Sequence, residues 1–492
     1  MAKLEELVSW HSDWKDLRVG VIGLGVTGFS VADTLAELGA KLLVVAQKAE
    51  PDLVDILDVI GVEHLIGEAA AGVPQQLKDL DPELIVTSPG VRPDSEILTW
   101  AIERGIPILV DIELAWRLRD KTDRVAEWLC ITGTNGKTTT TQLTTAMLEA
   151  GGLRAVAVGN IGNPILDAIR DPEGFDALVV ELSSFQLHYV SGLEPHSAVV
   201  LNLADDHLDW HGGFENYRDT KAKIYQNTKY SCVYNVQDAA TETMVELADV
   251  REGARAIGFT LGAPGRSQVG YVEDLLVDRA FLEDRANTAL ELARIEDIEQ
   301  IGVVTPHLLA NVAAASALAR SIGVEPVDIR DAIRTFRLDG HRIQLIADRG
   351  GVRWIDDSKA TNPHAAAASL ASFESVVWIV GGLLKGVEID ELVKTYAGKL
   401  RAAVVIGADR EAVLSALAAN APDAPALEVT ATDGEAVMRA AVELAGAAAQ
   451  PGDTVLLAPA AASMDQFQDY ADRGNKFADA ARNWLAERGS DD

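Results

Sequence analysis

Short apolar runs alternate with amphipathic stretches along the whole chain. The apolar runs are rich in Val, Ile and Leu, and the stretches between them carry apolar residues at helical spacing. Strands that are apolar on both faces and alternate with helices are typical of parallel sheets covered by helices. The pattern therefore predicts an α/β fold.

The strand pattern starts three times, at residues 18–22, 128–131 and 352–355. A charged stretch at 117–124 precedes the second start. A chain of 492 residues is also longer than one hydrophobic core usually holds. We therefore predict three domains, at residues 1–110, 111–338 and 339–492, each built on a mainly parallel sheet flanked by helices.

Composition excludes several classes of function. The net charge of -32 argues against nucleic-acid and anionic-membrane surfaces, because such partners bind basic surfaces. Only two cysteines occur, Cys130 and Cys232, so neither a disulfide framework nor a CxxC metal site is expected. No apolar run approaches the length of a membrane span. We expect a cytoplasmic monomer that binds no nucleic acid and does not insert into membranes.

The strongest local signal is TGTNGKT at residues 132–138, between an apolar strand and a helical stretch. Glycines let backbone N–H groups close around phosphates, Lys137 can reach the terminal phosphates, and Thr138 can bind Mg²⁺. The loop is shorter than GxxxxGKS/T, and a chance Gly-Lys-Thr is the alternative, but the flanking strand and helix favour an ATP site. Its candidate residues are Gly133, Thr134, Asn135, Gly136, Lys137, Thr138 and Thr139.

A second glycine motif, GLGVTG at residues 23–28, follows the first strand. It would fit NAD, but the second strand ends in Ala46 and Gln47, with no acidic residue for a ribose hydroxyl. A hydride-transfer enzyme is thereby disfavoured. The helix N-terminus after Gly25 can still bind the diphosphate of a UDP-sugar, and a purely structural turn is the alternative.

Two polar residues follow strands of the second domain. Glu181 ends one apolar run, and His207 comes shortly after the next. The carboxyl ends of parallel strands line the ligand crevice of an open sheet, so both side chains can share divalent metal ions with Thr138 and ATP. Taken singly, each is more often an ordinary surface residue.

Motifs along almost the whole chain resemble those of the Mur ligase family, the ATP-dependent amide ligases of bacterial cell-wall synthesis. The short phosphate loop is similar to that of Mur ligases and folylpolyglutamate synthases. The other matching motifs are DIEL at 111–114, GNIG at 159–162, ELSSFQL at 181–187, DHLD at 206–209, YRDTK at 217–221, HR at 341–342, DSKATN at 357–362, PAAASMDQF at 459–467 and RGN at 473–475. They look most like the branch that joins D-glutamate to UDP-N-acetylmuramoyl-L-alanine. Another Mur ligase or a folylpolyglutamate synthase is the alternative.

The resemblance implies a Rossmann-like N-terminal domain for the UDP-substrate, a central P-loop ATPase domain and a Rossmann-like C-terminal domain for D-glutamate. It implies four catalytic residues, namely Lys137, Glu181, His207 and Lys221. The last three of these, with Thr138, would hold two Mg²⁺ ions, Lys221 as a carbamylated lysine. Further ATP contacts would come from Asn311, Arg342 and Asp357. The implied substrate contacts are Gly25, Thr27, Ser88, Asn160, Ser183, Gln186, Lys359, Thr361, Lys385, Ser463 and Tyr470.

The chain departs from the family pattern in two places. Leu383 stands where an acidic residue precedes the glutamate-binding lysine, and residues 46–48 replace the Asp-Thr-Arg often found near the uracil. These departures concern details of substrate contact. A nucleotide-sensing scaffold that never turns ATP over is the alternative from another class, but three ligand-facing sheets favour an enzyme.

Overall fold

The computed structural model describes residues 2–337 and 340–488. These residues form three mainly parallel sheets of five, nine and six strands, flanked by helices, which confirms the predicted fold class. Leu338 and Asp339, at the second predicted domain boundary, lie outside the described residues, and the boundaries themselves stay predictions. None of the helices in the described ranges combines the length and apolar composition needed to cross a bilayer.

The first sheet is wholly parallel. Its strands are β1 Arg18–Ile22, β2 Lys41–Ala46, β3 Glu63–Ile66, β4 Leu84–Thr87 and β5 Ile108–Leu109, in the order β3-β2-β1-β4-β5. The helices of this part are α1 Ala2–Glu6, α2 Val26–Glu37, α3 Pro51–Val59, α4 Gln75–Leu80, α5 Glu96–Glu103 and α6 Asp111–Leu118. Gly23 follows β1 at φ +97°, and a Cβ there would lie 2.5 Å from Ser88 Oγ. Only glycine lets the ends of β1 and β4 approach this closely.

The central sheet has an antiparallel extension at one edge. Its strands are β6 Glu127–Thr132, β7 Ala155–Gly159, β8 Ala177–Glu181, β9 Ser197–Val200, β10 Ser231–Asn235, β11 Arg255–Phe259, β12 Gln268–Val272, β13 Leu275–Asp278 and β14 Leu290–Arg294. The order is β14-β13-β12-β11-β10-β9-β6-β8-β7, and the pairs β12–β13 and β13–β14 are antiparallel. The helices are α7 Lys137–Ala150, α8 Ile165–Arg170, α9 Ser184–Tyr189, α10 Leu208–His211, α11 Phe214–Ala222, α12 Ala239–Glu246, α13 Ile295–Ile298, α14 Pro306–Ser321 and α15 Pro326–Thr335. Strand β6 therefore has β8 and β9 as its neighbours.

The third sheet is parallel except for an antiparallel first hairpin. Its strands are β15 Gln344–Arg349, β16 Val352–Asp356, β17 Val376–Val380, β18 Leu400–Val405, β19 Ala426–Glu428 and β20 Thr454–Leu457, in the order β15-β16-β20-β17-β18-β19. The helices are α16 Pro363–Ala371, α17 Asp390–Tyr396, α18 Glu411–Asn420, α19 Gly434–Ala448 and α20 Tyr470–Arg488. A separate apolar cluster covers each face of this sheet, so the third domain has its own core.

The first and second sheets share one hydrophobic core. Val19 of the first sheet belongs to the same buried cluster as Cys130 and Val180 of the central sheet. Helix α6 packs against both α2 and α8, and Trp116 meets Trp128 edge-on with ring centroids 5.1 Å apart. Burial of this apolar surface fixes the first sheet against the central one.

The last helix holds the loop that follows β16. Arg473 of α20 is fully buried, and its guanidinium donates to Ser358 Oγ at 2.9 Å, to Ser358 O at 2.8 Å and to Ala461 O at 3.1 Å. Burial lowers the pKa of Arg473 to about 10. A buried guanidinium is stable only when its donors are satisfied, so Arg473 and the loop fix each other.

Candidate active site

The phosphate loop predicted at residues 132–138 joins β6 to α7. Gly136 is the N-cap of α7, and because glycine has no side chain the first N–H groups of the helix remain available to a phosphate. The Lys137 ammonium donates to the carbonyl oxygens of Gly133 and Thr134, both at 2.9 Å. Burial lowers the pKa of Lys137. The loop thus concentrates donors at the carboxyl edge of the central sheet.

Replacing Gly136 with Ala is expected to weaken ATP binding by more than about tenfold, because a Cβ there would lie 2.3 Å from Asn311 Oδ1. Gly136 also has a φ of +83°, which strains any residue with a Cβ. Gly152→Ala is the matched control, since Gly152 has a φ of +80° but open space around its Cβ position. ATP titration of both variants separates the two effects; equal affinities would contradict the steric argument.

Glu181 ends β8 beside the phosphate loop and is only 1% exposed. Its Oε1 accepts a hydrogen bond from Asn160 Nδ2 at 2.8 Å. Its Oε2 is buried and has no hydrogen-bond partner among the described residues. A buried carboxylate oxygen without a partner costs free energy unless a cation binds it. The side chain is therefore suited to Mg²⁺.

His207 precedes α10 in the left-handed conformation, with a φ of +52°. Burial lowers the pKa of its imidazole to about 4, although the carboxylate of Asp206, 3.6 Å from Nε2, opposes the shift. The ring also packs against Phe185 with centroids 4.7 Å apart. Imidazole binds metal ions in its neutral form, which is the form this environment favours at pH 7.

Lys221 lies on α11 and is only 2% exposed. Its Nζ donates to Thr132 Oγ1 at 3.2 Å and to Gly133 O at 3.0 Å, so it reaches the start of the phosphate loop. Burial, followed by the nearby Lys137 ammonium, lowers the pKa of Lys221 well below its usual range. A neutral buried amine is reactive, and the environment is therefore compatible with carbamylation.

The protein alone supplies few ligands for a divalent cation. Within residues 2–337 and 340–488, no three His, Cys, Asp or Glu side chains are grouped so that they could hold a metal ion. Glu181 and His207 would need other oxygens beside them. The hydroxyl of Thr138, the phosphate oxygens of ATP and a carbamate on Lys221 are of the right chemical type. The partnerless Oε2 of Glu181 fits a cation in this position.

The third domain brings two further cations to the same edge. Arg342 and Lys385 each contribute to the lowered pKa of Lys137, and Lys385 also contributes to that of His207. Lys385 has a φ of +54° and follows the short pairing of Leu383 with Ala462. Opposing carboxylates come from Glu181 and Asp206. Charged groups from two sheets therefore surround the phosphate loop.

A cavity with about 790 Å³ of empty space lies between the phosphate loop, α14 and the third domain. The predicted ATP contacts in its lining are Asn135, Gly136, Thr139, Asn311, Arg342 and Asp357. Burial raises the pKa of Asp357 to about 6, while a hydrogen bond from Ser369 opposes the shift.

The residues predicted to bind D-glutamate lie on three loops of the third domain and at the first residue of α20. Lys359 Nζ is 4.8 Å from the centre of the Tyr470 ring and 3.4 Å from Thr138 Oγ1, which accepts its hydrogen bond. The Thr361 N–H donates to Lys359 O at 2.9 Å. Ser463 is buried before α20. Lys359 therefore faces the phosphate loop as well as the predicted glutamate site.

The first domain contains a cavity with about 1,610 Å³ of empty space at the carboxyl ends of β1 and β2. Gln47, Lys48, Arg92 and Ser95 are in its lining, whereas the predicted contacts Gly25, Thr27 and Ser88 are not among the described lining residues. Gly25 instead caps α2. An ion pair of 3.8 Å between Arg92 and Asp209 links the rim of this cavity to the helix that follows His207.

Three predicted substrate contacts are hydrogen-bonded within the protein. Ser183 and Gln186 form a reciprocal capping box at the start of α9, and Asn160 donates to Glu181. The Gln186 amide also donates to Asp111 Oδ1 at 3.5 Å. These contacts place all three residues near the carboxyl end of β8. Each has a structural role in addition to its predicted role in substrate binding.

Sequence reasoning missed four polar residues at this edge. Asp206 lies among the cations described above, and Asn202, Asn362 and His364 surround Asn135. Asp206 lies in the DHLD motif at 206–209, and Asn362 ends the DSKATN motif at 357–362. Asn202 follows β9, so the strand-end rule that found Glu181 could also have found Asn202. No local pattern marks His364.

Comparison with known proteins was consistent across the three parts of the chain. Residues 17–110 match the Mur ligase MurD-like N-terminal domain, residues 131–319 the Mur ligase middle domain, and residues 341–461 the Mur ligase glutamate ligase domain. The protein of Leifsonia xyli described as UDP-N-acetylmuramoylalanine–D-glutamate ligase is 56% identical over 100% of this chain and 97% of its own. The protein of that name from Streptomyces avermitilis is 51% identical over 96% of this chain and 99% of its own.

Solved structures show the same fold at low identity. MurC, the UDP-N-acetylmuramate-alanine ligase of Thermotoga maritima, is 18% identical with a TM-score of 0.55 and covers 95% of this chain and 99% of its own. MurF ligase of the same organism, solved with ADP, is 18% identical with a TM-score of 0.54. It covers 96% of this chain and 97% of its own. Fold, site and relatives define an ATP-dependent amide ligase. The chain belongs to the Mur ligase family, as its motifs predicted.

Proposed function

We propose that the protein joins D-glutamate to UDP-N-acetylmuramoyl-L-alanine with conversion of ATP to ADP and phosphate. The observation that carries the chemistry is the meeting of Lys137, Glu181, His207 and Lys221 at one edge of the central sheet. The choice of substrates is supported by relatives of that name at 56% and 51% identity over nearly the whole chain.

The first step is attack of the alanyl carboxylate on the γ-phosphorus of ATP, which forms an acyl phosphate and releases ADP. A carboxylate is a poor acyl donor, and phosphorylation supplies a leaving group. Lys137 and the N-terminus of α7 stabilise the negative charge on the transferred group. Glu181, His207, Thr138 and a carbamylated Lys221 would hold Mg²⁺, which would neutralise phosphate charge when bound.

The second step is attack of the D-glutamate amine on the acyl carbon. The resulting tetrahedral intermediate expels phosphate and leaves the new amide bond. Lys385 and Lys359 supply positive charge for a dicarboxylate on the side of the third domain. Because three substrates must meet at one point, positioning by the docked third domain supplies a large part of the rate enhancement.

A panel of amines tests the proposal. With UDP-N-acetylmuramoyl-L-alanine and ATP present, we expect phosphate release with D-glutamate, and none above background with L-alanine or meso-diaminopimelate. Incorporation of radiolabelled D-glutamate into the UDP-linked product should match the phosphate released. Preference for another amine would assign the chain to another ligase of the family, and phosphate release without coupling would refute the proposed reaction.

A further inference from the structure

The side chain of Asn135 joins the phosphate loop to the third domain. Its Nδ2 donates to Asn362 Oδ1 at 3.3 Å, and its Oδ1 accepts from Asn362 Nδ2 at 3.1 Å. The same Nδ2 lies 3.0 Å from Nδ1 of His364, which accepts if the ring proton is on Nε2. The two amides therefore form a reciprocal pair with an imidazole beside it.

The backbone of Asn135 is fixed from the opposite side. Its N–H donates to Asn202 Oδ1 at 2.9 Å, and Asn202 Nδ2 donates back to Asn135 O at 3.0 Å. The Thr134 N–H donates to Asn202 O at 3.0 Å. Asn202 follows β9, on the segment that leads to His207. Three asparagines thus connect this segment, the phosphate loop and the third domain.

The side chain of Asn362 is fixed in this orientation by a second hydrogen bond. It is only 5% exposed, and its Oδ1 also accepts from the Ala365 N–H at 2.9 Å, which makes it the N-cap of α16. Turning the side chain away from Asn135 would uncap the helix. Lys359, three residues earlier, makes a second contact to the phosphate loop at Thr138. The segment at 359–364 therefore meets the loop at two points.

We propose that Asn362, supported by His364, is a positioning residue that sets the conformation of the phosphate loop when the third domain docks. It acts through Asn135, whose side chain and backbone are then bound on opposite sides. The phosphate loop has its full affinity for the phosphates only when the third domain is docked. ATP binding and docking of the third domain therefore favour each other. This inference rests on the proposed function in one respect, that the phosphates belong to ATP.

Asn362→Ser separates the two roles of this residue. Serine is a good N-cap and keeps α16 capped, but it is too short to reach Asn135. We expect the dissociation constant and the KM for ATP to rise about tenfold, as for the loss of a pair of partly buried hydrogen bonds. The KM for UDP-N-acetylmuramoyl-L-alanine and the thermal midpoint should stay at their wild-type values. His364→Ala should raise the KM for ATP by a smaller factor.

Two further variants control for the helix cap. Asn362→Ala loses both the cap and the contact, whereas Asp433→Ala loses only the cap of α19, formed with the N–H groups of Glu435 and Ala436. Both should lower the thermal midpoint, but only Asn362→Ala should weaken ATP binding. Wild-type ATP affinity in Asn362→Ser, or an equal rise in every KM, would overturn the inference. Since ATP binding is measured by calorimetry without turnover, wild-type protein that binds ATP but couples no D-glutamate would refute the proposed reaction alone.

Discussion

Replacing Lys221 with Ala is expected to lower the kcat for phosphate release by roughly 10²–10³-fold, the size of effect seen when one charge-stabilising group is removed from an active site. The Lys221 amine is fully buried at the start of the phosphate loop, and its lowered pKa favours the uncharged form, the form that can add CO₂. In the proposed mechanism the carbamate on this amine is a carboxylate-like ligand of Mg²⁺, so Lys221→Ala would remove one ligand from the proposed metal site. Lys223→Ala is the matched control, since Lys223 is only half-buried and its Nζ donates to His188 O instead of to the phosphate loop.

Removal of CO₂ tests the proposed carbamylation of Lys221. Wild-type protein degassed at mildly acidic pH and assayed without CO₂ should lose most of its activity, and added bicarbonate should restore it. Lys221→Ala should not respond to bicarbonate. A wild-type activity that is indifferent to CO₂, together with full activity of Lys221→Arg, would show that the amine acts without modification.

Lys137→Met is expected to reduce kcat by roughly 10²–10³-fold while leaving the protein at least as stable as the wild type. The ammonium lies inside the phosphate loop, where burial lowers its pKa, so its removal relieves a desolvation cost. Methionine keeps most of the buried stem. Phosphate release and thermal unfolding should be measured on the same preparation. Retained turnover would contradict the assigned role, and a large fall in the thermal midpoint would mean that the loop depends on this cation for folding.

The sequence predicts the parallel core of each sheet well, because buried parallel strands are continuous apolar runs. The predicted strands at 18–22, 128–131 and 352–355 lie within β1, β6 and β16. The antiparallel strands β12–β14 are not predicted. They lie at the edge of the sheet, where short segments mix polar and apolar positions.

The site is predictable where one rule applies and unpredictable where the domains meet. Glu181 ends β8, and the segment that carries His207 follows β9. Both strands are neighbours of β6, so the strand-end rule brings these residues together. Lys221 has the local sequence of a solvated helix, and only the packing of α11 buries it. Asn362 and His364 acquire their roles from docking of the third domain on the second, which no local pattern contains.

The buried Arg473 also has a consequence for the order in which the site can form during synthesis. The loop at 357–362 carries residues that line the cavity beside the phosphate loop, yet it is held by a side chain more than a hundred positions later in the chain. A nascent protein can fold its first two sheets and expose a phosphate loop long before α20 leaves the ribosome. Until then the loop lacks the guanidinium that holds it, so we expect this part of the site to form last.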